Sequence, residues 1–207
     1  VLIGLLLWQS SLSVHRQYST RLAATAGASA RELDSFLRVH MAAMQVLADR
    51  RIAEDDIDDL ARWEADLTRV TRHYPVFTHL LVTDAAGNVL AAVPGLPDGN
   101  DRSTADREYY RVPRASGRGH VSGVYQGRGA GNVPRIAVSV PLMHEGRFAG
   151  IVVGSMAAAS VVPGHGLDEH GFELLLLDRS LTVVQASAGM PQRALEPLDA
   201  RDGPQGE

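Results

Sequence analysis

The sequence predicts an α+β fold in which a long N-terminal helix packs on a five-stranded antiparallel sheet. One observation is that residues 13–51 contain no proline and a single glycine, Gly27. A second is that short apolar runs, separated by turn residues, follow from residue 76. The third is the order of predicted elements, which is two helices, two strands, a short helix and three strands. This order is typical of an antiparallel sheet with helices on one side.

The first helix is predicted from apolar and small residues that recur mainly at steps of three and four, which places them on one face. They are Leu22, Ala26, Ser29, Leu33, Phe36, Leu37, Met44 and Leu47. A second helix is predicted over residues 55–73, where the acids of "EDDIDD" lie at the positive helix end. Its apolar face contains Ile57, Leu60, Trp63, Leu67 and Val70.

The sheet is predicted to begin with a hairpin of residues 76–83 and 88–93, because the intervening Gly87 and Asn88 suit a tight turn. Ser103 and Asp106 resemble a capping box, so a short helix is expected to begin near Thr104. Pro113 is expected to end or kink that helix. Further strands are predicted in "GHVSGVYQG" and on both sides of a turn at residues 144–146.

A second hairpin is predicted at residues 174–177 and 181–185, around Asp178, and it repeats the pattern of the first hairpin. The sequence after it becomes polar and contains proline, which is typical of a tail without a core. We therefore divide the chain into four parts. They are the end of a transmembrane helix at residues 1–12, a helical region at 13–74, a ligand-binding module at 75–160, and a linker with a partial second module at 161–207.

Composition excludes several functions. A net charge of −4 argues against nucleic-acid binding, and the absence of cysteine excludes disulfides, cysteine-ligated zinc and thiol nucleophiles. The opening "VLIGLLLWQSS" is too short to span a bilayer. It suggests the outer end of a transmembrane helix, with Trp8 at the headgroup level. The alternative is the start of an ordinary buried helix.

Sites for catalysis, cofactors or metals are not predicted. The loop "GRGAGN" lies between two strands and does not open a helix, so it lacks the context of a phosphate-binding loop. No G-x-S-x-G nucleophile motif is present. The segment "HGLDEH", from His165 to His170, contains two histidines and two acids but no i, i+4 histidine pair. We expect a solvated loop there and no metal.

A candidate anion site is centred on Arg107, whose planar guanidinium suits a carboxylate or a phosphate. On the short helix, Tyr110 and Arg111 lie one turn from Arg107, so the three side chains can converge over one edge of the sheet. The strands add Tyr125 or Ser122, which point to opposite faces, and Arg135 with Ser139, which share a face. The alternative is a solvated helix whose tyrosines only cover the sheet edge.

The run "DREYYR…GRGHVSGVYQG…VPRIAVSVPLMHEGRFAGIVVGSM" resembles the membrane-distal module of double Cache (PDC, PAS-like) sensor domains. These are extracytoplasmic input domains of bacterial sensor histidine kinases, chemoreceptors and cyclic-di-nucleotide enzymes. The matching motifs are a D-R-x-Y-Y helix, a strand with Ser122, a Ser-x-Pro strand at residues 139–141 and a G-x-x-x-G strand at 150–154. The resemblance implies a PAS-like five-stranded sheet, followed by the start of a second, smaller PAS-like module.

The resemblance also implies binding residues. In the amino-acid-binding branch, an R-x-W-Y motif and a downstream tyrosine bind the ligand carboxylate. Arg107, Tyr109, Tyr110 and Tyr125 match these positions, with Tyr109 in place of tryptophan. The branch's aspartate for the ligand amine is absent from the region of Ser155, which favours an organic acid over an amino acid. The predicted ligand-binding residues are Arg107, Tyr109, Tyr110, Ser122, Tyr125, Arg135, Ser139 and Ser155.

The function implied is an input domain that senses a small anion outside the cell and is anchored in the inner membrane by its N-terminal helix. The full receptor is expected to be a homodimeric histidine kinase, in which ligand binding shifts that helix. Three alternatives remain: a ligand-free dimerisation or interaction module, an amino-acid chemoreceptor domain, and the sensor of a diguanylate cyclase. A hydrolase is disfavoured, since no nucleophile, base and orienting group can be assembled.

Overall fold

The structure, a computed structural model, describes residues 2–96, 102–128, 133–161 and 173–198, with side chains from residue 19 onward. The chain divides into two compact units, Val1–Phe36 and Leu37–Glu207. Helix α1 (Leu2–Ala53) provides the first unit and the beginning of the second. Among the described residues, none of the helices combines the length and the apolar character needed to cross a membrane. The predicted "GRGAGN" and "HGLDEH" loops fall largely or wholly outside the described residues.

The central sheet lies in the second unit and is entirely antiparallel. Its strands follow the order β2-β1-β6-β5, and two short strands, β3 and β4, both pair with the outer edge of β5. The sheet therefore has five positions, as predicted, although the last position is shared by two short strands. The strands are β1 (Phe77–Thr83), β2 (Val89–Val93), β3 (His120–Val121), β4 (Tyr125–Gln126), β5 (Pro134–His144) and β6 (Arg147–Ala157).

Helices cover both faces of this sheet, so the expectation of helices on one side is wrong. On one face, the Phe77 ring packs so closely on Gly154 that a Cβ atom there would lie 2.4 Å from the ring. The same ring lies 5.3 Å from the His40 ring of α1. On the other face, Tyr109 and Tyr110 of α3 (Glu108–Ser116) join the core formed by Leu81, Ile151 and Val153.

Helix α2 (Leu60–His73) is tied to the end of α1 by a buried charged network. Arg51 is 1% exposed, and its guanidinium donates to Asp66 Oδ2 at 2.5 Å and to Asp56 Oδ2 at 2.7 Å. It also donates to the Arg62 carbonyl oxygen at 2.8 Å. A buried cation is tolerated when opposite charges and hydrogen bonds compensate it in this way, although Arg51 Nε and Asp56 Oδ1 are buried without a hydrogen-bond partner.

Helix α3 begins at Glu108, four residues later than the sequence predicts. The predicted capping box does not cap α3, which has no side-chain cap bond, and Asp106 instead forms an ion pair with Arg128. Arg107 is the N-cap residue and has an extended backbone. Pro113 lies inside the helix and does not end it; the helix continues to Ser116 and stops at Gly117, whose φ is 64°. The helix thus starts immediately after the predicted binding arginine.

The predicted second hairpin is present as a separate two-stranded sheet of β7 (Leu175–Leu177) and β8 (Val183–Ala186). Part of the predicted tail is ordered beside it. The Val183 N–H donates to the Glu196 carbonyl oxygen, and the Leu195 N–H donates to the Val183 carbonyl oxygen, both at 2.8 Å. The polar composition of this segment does not reveal these bonds, since they involve only the backbone.

Candidate functional site

The candidate site lies on the face of the sheet that α3 covers. Ala137 of β5 belongs to the core cluster that contains Tyr109, so Arg135, two residues earlier, points to the same face. Arg135 pairs with Tyr125 across the β4–β5 ladder, and Ala137 pairs with Ser155 on β6. The strand register therefore places these polar side chains beside one another.

Tyr125 contacts three other polar or aromatic side chains of the candidate site. Its hydroxyl forms a hydrogen bond of 2.8 Å with Ser155 Oγ, and its ring centroid lies 5.4 Å from that of Tyr109. The Arg107 guanidinium carbon lies 5.6 Å from the Tyr125 ring centroid, a distance typical of a cation–π contact. We call Arg107, Tyr109, Tyr125, Arg135 and Ser155 together the Tyr125 cluster.

Both tyrosines of the cluster remain protonated at neutral pH. Burial raises the pKa of the Tyr109 phenol well above its ordinary value, and the neighbouring Tyr125 raises it further. Burial also raises the pKa of the Tyr125 phenol, although the bond with Ser155 and the charge of Arg135 lower it in part. Each hydroxyl therefore keeps its proton and can donate a hydrogen bond.

Arg135 is the most unusual member of the cluster, because it is only 9% exposed and has no acidic partner among the described residues. Among the residues that the structure describes, none of the ion pairs involves Arg135 or Arg107. The Arg135 guanidinium approaches Gly127, where a Cβ atom would lie 3.1 Å from Cζ. Glycine at this position leaves room for the guanidinium.

Sequence reasoning missed His79, which lies opposite Ser155 in the β1–β6 ladder. Its Nδ1 atom is buried and has no hydrogen-bond partner. Burial lowers the pKa of the imidazole, and the positive charge of Arg135 lowers it further, so the ring is neutral at pH 7. The one available signal was its alternation with Leu81 and Thr83, which places all three on the same face.

Three of the eight predicted ligand-binding residues make other contacts. The Tyr110 hydroxyl donates to the Ala85 carbonyl oxygen at 2.7 Å. Ser122 Oγ accepts from the Ala137 N–H at 3.0 Å and donates to a neighbouring carbonyl. Ser139 Oγ donates to the His120 carbonyl oxygen at 3.4 Å. The structure thus brings together the other five, which are the members of the Tyr125 cluster.

The segment of residues 122–124, between β3 and β4, is held by two carboxylates from different parts of the chain. The Gly123 N–H donates to Glu108 Oε2 at 3.0 Å, and the Val124 N–H donates to Asp178 Oδ2 at 3.1 Å. The other oxygen of Glu108 lies 2.8 Å from His120 Nε2. Because these N–H groups are engaged by side chains, the predicted strand is interrupted here, directly before Tyr125.

Solved structures with the same fold are ligand-binding domains of bacterial chemoreceptors. One is that of the Pseudomonas aeruginosa PAO1 amino-acid chemoreceptor PctC in complex with GABA, at 22% identity and a TM-score of 0.60, covering 75% of this chain and 70% of that chain. Another is that of the Pseudomonas fluorescens chemoreceptor CtaA with L-alanine, at 15% identity and a TM-score of 0.63, covering 80% and 70%. A third is the ligand-binding domain of the Pseudomonas aeruginosa PAO1 amino-acid chemoreceptor PctB in complex with L-Arg. Its sequence identity is 13% and its TM-score is 0.61, covering 81% of this chain and 69% of that chain.

These likenesses show the fold, and they confirm at that level the predicted resemblance to Cache sensor domains. The search of protein-family models gave no match to the sequence. No curated protein matches it either. The protein therefore shares the fold of these ligand-binding domains.

Proposed function

We propose that the chain is the extracytoplasmic ligand-sensing domain of a bacterial membrane receptor and that the Tyr125 cluster binds a small carboxylate. The observation that carries this proposal is the burial of Arg135 without an acidic partner in the described part of the chain. A buried charge is strongly unfavourable unless an opposite charge and hydrogen bonds compensate it. An anionic ligand supplies both.

Each member of the cluster has a role in this proposal. The Arg135 guanidinium offers paired N–H donors that match the two oxygens of a carboxylate. The rings of Tyr109 and Tyr125 form apolar walls for a short carbon chain, and their hydroxyls are donors. Ser155 orients the Tyr125 hydroxyl through their hydrogen bond of 2.8 Å. Arg107 provides a second positive charge, 5.6 Å from the Tyr125 ring centroid.

An amino acid is the second candidate ligand, because the similar solved domains are described in complex with GABA, L-alanine and L-Arg. An α-ammonium group needs acceptors, preferably a carboxylate. The acceptors within the Tyr125 cluster are neutral hydroxyl oxygens such as those of Ser155 and Tyr125, and the Asp106 carboxylate, whose charge acts on Tyr109 and Arg107, is already paired with Arg128. This difference favours an organic acid.

Signal output is proposed to pass through α1 to a cytoplasmic module, a histidine kinase in our first hypothesis. A chemoreceptor or a diguanylate cyclase module would fit the same input. We propose that two copies pair through α1, on which Val39 and Val46 are 53% and 69% exposed. The rival proposal is a dimerisation module that binds no small molecule.

Thermal unfolding with and without small carboxylates tests the proposal. At 100 times the dissociation constant, a ligand adds about 2.7 kcal/mol to the free energy of unfolding, which is easily measured as a rise in Tm. We expect this rise for the wild-type protein and for Arg111→Gln, an exposed arginine outside the cluster. We expect its loss in Arg135→Gln and in Arg107→Ala. Failure of every carboxylate and amino acid to raise Tm would favour the dimerisation module.

A further inference from the structure

We infer that a second ligand site lies between α1 and the edge of β5, and that it takes a small zwitterion, a molecule with one ammonium group and one carboxylate. The inference goes beyond the proposed function and does not depend on it, because the residues concerned lie outside the Tyr125 cluster. It starts from a cavity of about 430 Å³ that is lined by α1, by the loop between α3 and β3, and by the end of β5. This volume is in the range of small-molecule pockets, roughly 300–1,000 Å³.

The loop between α3 and β3 passes close to α1 where it lines the cavity. A Cβ atom at Gly119 would lie 2.8 Å from Met41 Sδ, so a larger residue there would displace the Met41 side chain. On the other side of Arg118, the backbone is anchored to the end of α3, because the Arg118 N–H donates to Ser116 Oγ at 3.2 Å. The backbone that carries Arg118 is therefore held beside α1.

The cavity is lined by one charge of each sign, Asp49 of α1 and Arg118 of the loop. Within the described ranges, neither side chain forms an ion pair. Gln45 Nε2 donates to Asp49 Oδ1 at 2.8 Å, which orients the carboxylate and leaves Oδ2 as an acceptor. A molecule in the cavity can therefore present an ammonium group to Asp49 and a carboxylate to Arg118, and both contacts are charge-assisted hydrogen bonds.

The edge of β5 adds a further acceptor. The Ala137 carbonyl oxygen accepts from the Ser122 N–H at 2.9 Å, so the peptide groups of Ala137 face the side on which β3 lies. Those of Pro141, four residues later, face the same side, because they alternate along a strand. Strand β3 pairs only with residues 138 and 139 and does not reach Pro141. Proline has no N–H, so this part of the edge offers a carbonyl oxygen, which suits an ammonium group.

The two charges distinguish the ligand classes. Arg118 attracts a simple carboxylate and Asp49 repels it, whereas a simple amine meets the reverse. A zwitterion is attracted by both. Ile52 and Met143 also line the cavity and provide apolar contacts for the carbon chain between the two charged groups. Because Asp49 and Arg118 are exposed, solvent weakens each contact, and we expect a dissociation constant of about 1 mM.

A series of ω-amino acids tests the inference, because its members carry the same two charges at different separations. Glycine, 4-aminobutyrate and 6-aminohexanoate are titrated into the isotope-labelled full chain at pH 7 and low salt, and the amide chemical shifts are followed by NMR. The amides of Gly117 and Gly119 report on the cavity, and that of Gly127 reports on the Tyr125 cluster. We expect the best-binding member to shift the first two amides. The alkanoate and the alkylamine of the same chain length should bind at least about 10-fold more weakly.

Variants locate the two ends of the ligand. Asp49→Asn and Arg118→Gln remove the two charges and should each weaken the best-binding member at least about 10-fold. The matched controls, Asp58→Asn and Arg111→Gln, remove the same charges from exposed residues outside the cavity and should leave its affinity unchanged. Arg135→Gln, in the Tyr125 cluster, should also leave it unchanged. Circular dichroism and the Tm of the unliganded variants verify that each is folded.

The outcomes separate this inference from the proposed function. The inference is wrong if the alkanoate or the alkylamine binds as tightly as the zwitterion, or if the amides of Gly117 and Gly119 do not shift. Shifts that are confined to Gly127 and lost in Arg135→Gln would place the ligand at the Tyr125 cluster, which supports the proposed function and refutes a second site. Conversely, shifts at Gly117 and Gly119 that persist in Arg135→Gln support the second site, even if no carboxylate binds at the Tyr125 cluster.

Discussion

The two hairpins of the second unit, β1–β2 and β7–β8, have nearly the same turn and use it differently. In each, an aspartate follows the first strand, and its N–H donates to the carbonyl oxygen four residues later at 2.9 Å. Through Oδ1, each aspartate also accepts N–H bonds from the residues two and four positions later. Asp84 accepts from the N–H groups of Ala86 and Asn88, both at 2.8 Å. Asp178 accepts from those of Ser180 at 2.9 Å and Thr182 at 3.0 Å.

The two turns differ at the second carboxylate oxygen. Asp84 Oδ2 accepts from Asn88 Nδ2 at 2.8 Å, within its own turn. Asp178 Oδ2 accepts instead from the Val124 N–H, in the segment directly before Tyr125. The Asp84 turn is therefore self-contained, whereas the Asp178 turn connects two parts of the chain.

A second difference lies in the fourth residue of each turn, which has a positive φ in both. Gly87 adopts a φ of 89°, which glycine tolerates. Leu181 adopts a φ of 60°, which costs a non-glycine residue roughly 1–2 kcal/mol. The second turn therefore carries a strain that the first turn avoids.

Gly87→Ala is expected to have the largest effect among the substitutions in the two turns. We predict a loss of about 2–3 kcal/mol in the free energy of unfolding, because alanine is strained at this φ. In addition, its Cβ would lie 3.0 Å from the Ala105 backbone nitrogen. The matched change, Leu181→Gly, should increase the free energy of unfolding by about 0.5 kcal/mol. Urea denaturation at pH 7 measures both; a loss in Leu181→Gly as large as that in Gly87→Ala would contradict the comparison.

Asp178→Asn is expected to have the next largest effect, and Asp84→Asn a smaller one. An asparagine at position 178 must leave one backbone N–H without its acceptor, which costs about 1–2 kcal/mol. An asparagine at position 84 costs less, because the Asn88 amide can rotate and present its oxygen to the new NH₂ group.

Hydrogen exchange at the Val124 amide tests this prediction directly. Exchange should be faster in Asp178→Asn and unchanged in Asp84→Asn, since only Asp178 accepts from that amide. Equal exchange rates in the two variants would show that the bond between Asp178 and Val124 does not protect this segment.

The free energy of unfolding should depend on pH through the aspartate that both turns contain. We expect this effect to be smaller than those of the position 87 and 181 substitutions and of the single aspartate substitutions. Burial tends to raise the pKa of each aspartate, but the bonds from Asn88 to Asp84 and from Ser180 to Asp178 lower it, so both pKa values lie below 3.8. The stabilisation is therefore present above the ordinary pKa and lost as the pH falls through the folded-state value. The double variant Asp84→Asn, Asp178→Asn should lose less Tm than wild type between pH 5 and pH 2.5; parallel curves would contradict this.

Local patterns predicted the two hairpins, whereas features that depend on contacts between distant parts of the chain, such as the interruption between β3 and β4, were missed. The runs around Asp84 and Asp178 predicted both hairpins, because turn chemistry is encoded within a few residues. The start of α3 was missed because the partner of Asp106 is Arg128, 22 residues away, and a pattern of four residues cannot reveal it. The face that each helix covers was missed for a similar reason, since the order of elements does not determine it.

The candidate site was predictable to a similar extent. Helical spacing marked Arg107 but grouped it with Tyr110 and Arg111, whereas Tyr109 was implied only by the resemblance to Cache domains. The contact of Tyr109 with Tyr125 is a property of the structure. The importance of Arg135 depends on its burial and on the lack of an acidic partner among the described residues, and only the three-dimensional structure reveals both. His79 gave no signal beyond its alternation with apolar neighbours, which is typical of many histidines in sheets.

The buried charges at the end of α1 have a mechanical consequence. Arg51 cannot slide past α2 without leaving Asp56 and Asp66, and breaking such a buried pair costs about 3–5 kcal/mol. This end of α1 is therefore held in place against α2 and does not slide along it. A displacement of this end of α1, whether a slide or a rotation, is expected to carry α2 with it as one rigid pair.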